Sequence, residues 1–212
     1  MTFLNADGGA ILTALVSTIR DNRDYLSEID GKIGDGDHGI NMSKGFTLFG
    51  TRIAGKPVSM SEGFHLLGET LLNDIGGSMG PLYGTFFEEL SYCSEAVTTI
   101  DEATFATMLA SAIEAVQDVG SAKRGDKTLL DTLIPAKEAY FAAMEANEPF
   151  DKALIALQAA AKTGWQSTEQ MMAKVGRASR LGARSIGVLD AGATSCYLIL
   201  NSIADSILAL LA

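Results

Sequence analysis

Cysteine is scarce in this sequence of 212 residues, which contains only Cys93 and Cys196. The two cysteines lie far apart and neither belongs to a Cys-x-x-Cys pair, so the sequence offers no disulfide framework and no thiolate zinc site. We interpret both as core thiols of a protein that is kept in a reducing compartment.

Basic residues are also in the minority, because 16 Lys and Arg stand against 26 Asp and Glu and give a net charge of −10. Nucleic acids and anionic membrane surfaces are bound through clustered Lys and Arg. The charge balance therefore argues against both kinds of partner. The N-terminal residues contain no basic stretch ahead of an apolar run, so we expect no secretory signal and a cytoplasmic protein.

No hydrophobic run is long and uninterrupted enough to indicate a clear membrane span. The most apolar stretch, residues 191–212, contains Asn201 and Asp205, and we predict a buried C-terminal helix there. No Pro- or Ser-rich linker and no repeat divides the chain. With 47% hydrophobic residues available for a core, residues 1–212 are predicted to form a single domain.

Helical periodicity is the main pattern that the chain does contain. Apolar residues recur at three- and four-residue spacing, and sustained β-branched alternation is not found. We predict eight helices, at residues 5–29, 38–53, 59–74, 80–96, 101–119, 127–147, 150–174 and 191–211. The short links between them imply that consecutive helices run antiparallel.

Glycine interrupts the helical pattern in four links, at residues 31–39, 76–80, 120–125 and 176–192. They follow the first, third, fifth and seventh predicted helices. In an up-and-down arrangement alternate links lie at the same end. We therefore expect a composite site in which all four links share one rim.

The first link contains three aspartates, Asp30, Asp35 and Asp37, within eight residues and separated by glycines. Carboxylates this close repel one another unless a cation or strong donors lie between them. Mg²⁺ is bound through carboxylates and leaves positions for phosphate oxygens. We predict a metal-dependent phosphoryl-transfer site, with a solvated Asp-Gly turn as the alternative. An EF-hand is excluded, because Gly39 and Phe46 stand where calcium ligands are required.

The same link leads into a predicted helix whose first turn contains His38 and Asn41. Free N–H groups and the helix dipole favour a phosphate there; a surface imidazole or a capping contact is the alternative for His38. The second link, with Ser78 after two glycines, opens the next helix in the manner of a phosphate-binding loop. Its alternative is a simple helix end with close packing.

The third link nearly matches a P-loop in Gly125-Asp126-Lys127-Thr128, but Asp126 is an extra residue and a predicted helix precedes it. We therefore reject Walker geometry and retain a basic, flexible loop that could contact a nucleotide. In the fourth link Arg177 could grip a phosphate and Asp190 could cap the last helix. A solvated loop and a plain cap are the alternatives.

Together these motifs resemble the L subunits of dihydroxyacetone kinase along nearly the whole chain. The matching segments are Ile33-Gly34-Asp35-Gly36-Asp37-His38-Gly39 with Asn41-Met42, Gly76-Gly77-Ser78-Met79-Gly80-Pro81-Leu82-Tyr83-Gly84-Thr85, Gly125-Asp126-Lys127-Thr128, and Gly176-Arg177-Ala178-Ser179 with Gly192-Ala193-Thr194-Ser195. The resemblance implies an all-α fold, an eight-helix antiparallel up-and-down barrel whose rim binds ADP or ATP through two Mg²⁺ ions.

The resemblance also implies roles for individual residues. The catalytic and metal-binding residues would be Asp30, Asp35 and Asp37. The nucleotide would be contacted by His38, Gly39, Asn41, Gly77, Ser78, Met79, Gly120, Leu129, Arg177, Asp190 and Gly192.

Partner subunits are implied as well. In the family the sugar, dihydroxyacetone or a related short ketose, is held covalently by a histidine of a separate K subunit, so neither His38 nor His65 is expected to hold substrate. The phosphoryl donor would be a resident ADP that a phosphotransferase M subunit rephosphorylates, or alternatively exchanging ATP. A regulatory protein that contacts a transcriptional activator and a helical domain with a purely structural metal are further alternatives.

The chain departs from the family pattern at residues 187–193. The family usually reads Gly-His-x-Asp-Pro-Gly-Ala, whereas this chain has Gly187-Val188-Leu189-Asp190-Ala191-Gly192-Ala193. The missing His and Pro alter the expected nucleotide lid. They are consistent with a paralogue whose K subunit has a different sugar specificity.

Overall fold

The computed structural model describes residues 1–212. The chain is mostly helical, as predicted, and its regular elements also include two three-residue strands. The α-helices are α1 (Gly9–Asp21), α2 (Arg23–Ile33), α3 (His38–Ile53), α4 (Met60–Asp74), α5 (Met79–Tyr92), α6 (Glu102–Gly120), α7 (Leu130–Glu145), α8 (Phe150–Ser167) and α9 (Ala191–Leu211). Short 3-10 helices lie at Asn5–Asp7, Thr168–Gln170 and Ala178–Ser185. Strands β1 (Thr2–Leu4) and β2 (Thr99–Asp101) pair antiparallel.

Neighbours in sequence are neighbours in space. From α3 to α9 each helix packs against the next one, and α9 packs in turn against α1. Their inward faces contribute to one hydrophobic cluster of 41 buried residues. Gly63 of α4 and Gly164 of α8 allow close packing, because a Cβ atom at these positions would overlap Leu12 of α1 and the Asp131 carbonyl of α7. Small residues therefore set the closest helix approaches.

Side-chain caps lie at the starts of α4, α6 and α9, and the cap of α9 at Asp190 was predicted from the sequence. Ser59 and Glu62 form a reciprocal capping box at the start of α4. Asp101 accepts a hydrogen bond from the Thr104 N–H at 2.8 Å, and Asp190 accepts one from the Ala193 N–H at 2.7 Å. These side chains bind N–H groups that have no partner within the first helical turn.

The predicted helix at 5–29 is wrong, because this region contains a 3-10 helix and two α-helices. The break falls at Asn22, whose backbone leaves the helical region and whose side-chain amide donates to the Thr18 carbonyl at 2.8 Å. Such a side-chain bond competes with the helical hydrogen bonds. The second of the two helices continues to Ile33, four residues beyond the predicted end.

Other boundaries are confirmed or move by a few residues. The helices predicted at 38–53 and 191–211 coincide with α3 and α9. The helix expected from 127 begins at Leu130, because Lys127 has a φ of 63° and cannot be part of a right-handed helix. The helix expected to reach 174 ends at Ser167, and the one expected to reach 96 ends at Tyr92. The strands were not predicted, and each is too short to show alternation.

Helix α9 is the one helix that is long and apolar enough to cross a membrane by length and composition. Half of its most apolar stretch is buried inside the fold, and α9 packs against α1, α7 and α8. Its polar residues Asn201 and Asp205 accept hydrogen bonds from Gln158 of α8 at 3.0 and 2.7 Å. These contacts are those of a core helix, as predicted.

The N-terminal segment is attached to the helices through the buried amide of Asn5. Its Nδ2 atom donates to Ser61 Oγ at 3.0 Å and to the carbonyls of Ser94 and Val97, both at 2.9 Å. Its Oδ1 atom accepts from the Ser61 N–H at 3.0 Å. A single side chain therefore connects the N-terminus, the start of α4 and the loop that follows α5.

We expect Asn5→Ala to lower the free energy of unfolding by about 2 to 3 kcal/mol, because buried donors and acceptors lose their partners. Asn73→Ala is the matched control, since Asn73 is an exposed residue of α4 without a side-chain hydrogen bond; it is expected to stay within about 0.5 kcal/mol of wild type. Urea unfolding followed by circular dichroism measures both. Equal stability of the two variants would contradict the role assigned to Asn5.

Candidate functional site

All four glycine-rich links contribute to one cavity of about 290 Å³. This volume is close to the lower limit of small-molecule sites. Gly39 and Asn41 do not line the cavity, and the other predicted site residues do: Asp30, Asp35, Asp37, His38, Gly77, Ser78, Met79, Gly120, Leu129, Arg177, Asp190 and Gly192. The fold therefore brings together side chains that are up to 162 positions apart, from Asp30 to Gly192.

The three aspartates of the α2–α3 link converge on one point. Asp30 lies in the last turn of α2, and one carboxylate oxygen from each of Asp30, Asp35 and Asp37 lies within 4.8 Å of the others. Gly36 adopts a φ of 77°, which glycine reaches without strain. A side chain at Gly34 would collide with the Asp30 carboxylate. The glycines are therefore required for the carboxylates to approach one another.

This donor set fits a hard divalent cation. It consists only of carboxylate oxygens, and it is partly open to solvent. The Arg177 guanidinium pairs with the Asp35 carboxylate and so supplies positive charge next to the cluster. Asp30, Asp35 and Asp37 are thus suited to Mg²⁺.

Four helices begin at the cavity. Residues at or next to the first position of each helix line it, namely Asp37 and His38 of α3, Ser78 and Met79 of α5, Leu129 and Leu130 of α7, and Asp190 and Ala191 of α9. The first turn of a helix has N–H groups without helical partners and a positive partial charge. Ser78 also makes no side-chain capping bond, so its hydroxyl is available. The arrangement favours an anionic ligand such as a phosphate.

His38 belongs to a buried polar chain beneath the cavity. Its Nε2 atom lies 2.8 Å from Ser195 Oγ, and the Tyr83 hydroxyl lies 2.6 Å from the same oxygen and 2.9 Å from the Gly192 carbonyl. Burial lowers the pKa of His38 to about 4, so the imidazole is neutral near pH 7. This series of hydrogen bonds connects α3 to α5 and α9. Sequence reasoning did not select Ser195 or Tyr83, although both lie in motifs that it quoted.

Asp190 and Lys127 form a second polar group of the cavity. Burial raises the pKa of Asp190 to about 7, while the Ala193 N–H and the Lys127 ammonium act in the opposite direction. Lys127 is 2% exposed, and its burial lowers the pKa of the ammonium. Its Nζ atom donates to the carbonyl oxygens of Met171, Ser185 and Val188. The sequence placed Lys127 in a near P-loop but gave no sign of these three acceptors.

Apolar side chains complete the cavity wall. Besides the predicted Met79 and Leu129, they are Ile33, Leu82, Val116, Ala122, Leu130, Val175, Ala178 and Ala191. Sequence reasoning missed these residues, because an apolar residue that faces a cavity has the same periodicity as one that faces the core. This lining is suited to the flat, apolar faces of a heterocyclic base.

The only tryptophan, Trp165 of α8, is connected to the start of α9. Its Nε1 atom donates to Thr194 Oγ1 at 2.9 Å, and that hydroxyl donates to the Asp190 carbonyl at 2.7 Å. The indole stacks on Tyr197 with ring centroids 4.6 Å apart and an angle of 3° between the planes. Two hydrogen bonds thus connect the indole with a cavity residue.

Comparison with known proteins gives matches along most of the chain. The family model described as the DAK2 domain matches residues 32–205. The ADP-binding subunit DhaL of the PEP-dependent dihydroxyacetone kinase 2 from Listeria innocua is 36% identical over 203 residues, which cover 94% of this chain and 93% of that protein. The corresponding DhaL subunit from Escherichia coli strain K12 is 38% identical over 186 residues, which cover 85% of this chain and 87% of that protein.

A solved structure is similar as well, the dihydroxyacetone kinase from C. freundii in complex with AMP-PNP and Mg²⁺. The TM-score is 0.68 at 25% sequence identity, and the match covers 92% of this chain and 33% of that enzyme. The chain thus corresponds to about a third of the longer protein. The sequence and structural matches agree with the resemblance that the motifs predicted. The chain belongs to the DAK2 domain family, the family of the dihydroxyacetone kinase L subunits.

Proposed function

We propose that this chain is the nucleotide-binding subunit of a kinase for dihydroxyacetone or a related short ketose. The observation that supports it most strongly is the cluster of Asp30, Asp35 and Asp37 in a cavity where four helices begin. Carboxylates suit Mg²⁺, and helix N-termini suit phosphates. The relatives named as ADP-binding subunits and the related structure with AMP-PNP and Mg²⁺ support the same ligands.

In this proposal Asp30, Asp35 and Asp37 would hold two Mg²⁺ ions at the nucleotide site. The ions would supply charge neutralisation for a loose phosphoryl-transfer transition state. The protein itself orients the phosphates, through the first-turn N–H groups of α3 and α5 and the Ser78 hydroxyl. Arg177 offers a planar pair of donors for phosphate oxygens. No side chain has to form a covalent bond.

Five further predicted residues have positioning, base-binding or packing roles in this proposal. Burial holds His38 neutral, and its hydrogen bond to Ser195 orients the imidazole ring at the first residue of α3. The base lies against Met79, Leu129 and their apolar neighbours, with Gly120 admitting close backbone approach. Gly39 lies where any side chain would collide with α2, so we assign it to helix packing that supports the aspartate link.

The architecture proposed with this function is a single domain in which the packed sequence of helices closes into an up-and-down barrel. The contact between α9 and α1 supports closure, and the four links around one cavity support a site at one rim. We propose that the protein acts in the cytoplasm. Its partners are a K subunit that carries the sugar and a phosphotransferase M subunit that rephosphorylates resident ADP, in agreement with the PEP-dependent names of its relatives.

A resident nucleotide can be tested directly. Protein purified with Mg²⁺ and no added nucleotide is expected to release about one ADP per chain when it is denatured, because a relay subunit retains its nucleotide through many phosphoryl transfers. Liquid chromatography with mass spectrometry measures its identity and amount. Empty protein that gains thermal stability with Mg²⁺ and ATP would support the exchanging kinase instead. No nucleotide and no stabilisation would contradict both versions of the proposal.

The carboxylate site can be tested by single substitutions. Asp37→Asn is expected to weaken Mg²⁺-dependent ADP binding at least about tenfold, because one charged ligand is lost. Asp24→Asn is the matched control, since this carboxylate on α2 is 96% exposed and does not line the cavity. Isothermal titration calorimetry at fixed Mg²⁺ measures both. Wild-type affinity in Asp37→Asn would remove the metal site from the proposal.

A further inference from the structure

Residues 171–189 cover one side of the cavity with little apolar packing of their own. Only Ala173 and Ser185 are buried among them. Gly176, Gly182 and Gly187 have φ values of 68°, 54° and 88°, and no atom lies within 4 Å of the Cβ that a side chain would place at any of them. A segment with so few buried contacts needs specific polar bonds to keep one conformation.

Three of the bonds that reach the segment from outside come from one side chain, beside backbone bonds such as the one from the Gly187 N–H to the Glu169 carbonyl at 2.7 Å. The Lys127 ammonium donates to the Met171 carbonyl at 3.1 Å, to the Val188 carbonyl at 2.6 Å and to the Ser185 carbonyl. It thus connects the beginning of the segment with its end. The loop that contains Lys127 also accepts a backbone bond from Lys174, through the Asp126 carbonyl at 3.1 Å.

The backbone around Lys127 is itself held in place. Asp131 of α7 is 1% exposed, and its carboxylate accepts from the N–H groups of Gly125 and Thr128 at 2.5 and 2.8 Å. Asp126 accepts from the Lys123 N–H at 2.9 Å. These bonds stabilise the positive φ of Lys127, which is unfavourable for any residue with a side chain. The ammonium therefore projects from a rigid loop.

An ammonium matches this position chemically. It has three N–H donors on one atom, so it can satisfy three carbonyl oxygens that point at one centre. All three donors of Lys127 are used by backbone carbonyls, although the side chain also borders the cavity. Its charge is therefore directed at the segment, while Arg177 in the middle of the segment reaches the metal site through Asp35.

We propose that Lys127 is a positioning residue, whose buried ammonium holds residues 171–188 across the cavity and thereby presents Arg177 to the nucleotide phosphates. The effect of Lys127 on nucleotide binding rests on the function proposed above. The anchoring itself is a property of the free protein. The two can therefore be tested separately.

Hydrogen exchange of the free protein tests the anchoring. Lys127→Met is expected to speed amide exchange in residues 172–189 by about tenfold or more, because three carbonyls lose a charged donor. Peptides from α1 and α4 are expected to keep wild-type exchange. Lys123→Met is the matched control, since Lys123 is an exposed lysine of the same loop without an ion pair, and it should leave the segment unchanged. Wild-type exchange of the segment in Lys127→Met would overturn the proposal.

The route to the nucleotide is tested by a double-mutant cycle with Mg²⁺ and ADP. We expect Lys127→Met and Arg177→Ala each to weaken ADP binding about tenfold or more, and the double variant to bind within about twofold of the weaker single variant. If the double variant instead loses ADP affinity by the product of the two single losses, Lys127 acts on the nucleotide independently of Arg177, and the proposal is overturned. Wild-type protein that binds no ADP would reject the proposed function and leave the exchange result intact.

A second substitution covers the case in which Lys127→Met does not fold. Lys127→Gln retains two N–H donors and is compared with Lys123→Gln in both experiments. A smaller acceleration of exchange confined to the same segment is expected. Equal exchange in these two glutamine variants would overturn the anchoring role.

Discussion

Repulsion among Asp30, Asp35 and Asp37 is the constraint on which the organisation of the site depends. Three carboxylates cannot share a point within 4.8 Å without positive charge nearby. The fold supplies it in two forms, the N-termini of four helices and the Arg177 guanidinium, and the proposed divalent cation would add to it. The same helix packing that forms the cavity therefore also provides positive charge for the carboxylates.

Helix identity could be predicted from the sequence wherever local signals agree. Helix α3 begins after a glycine-rich link, and α9 begins directly after its cap Asp190, so both were located to the residue. The break at Asn22 could not be predicted, because Ile19 and Leu26 are seven residues apart and keep the same helical phase across it. The strands depend on pairing between residues near 3 and 100, a contact that no local window contains.

The residues of the candidate site also differ in how far the sequence could predict them. The aspartate link was predictable because its residues are adjacent in sequence, and the meeting of four links followed from their alternation along the chain. Lys127 was visible as part of a motif, but its acceptors at residues 171–188 are set by tertiary structure. Ser195 and Tyr83 are similar, since each is an ordinary helical residue until the fold places it beside His38. Buried polar partners need the structure to be found.

The single tryptophan has a practical consequence. Trp165 is joined through Thr194 to the backbone of Asp190, and its ring lies flat on Tyr197. Indole emission depends on the local field and on stacked neighbours, so any rearrangement at the start of α9 changes the environment of this one fluorophore. The protein thus contains its own optical reporter, connected through Thr194 to a residue of the cavity, and events there can be followed in real time without attaching a dye.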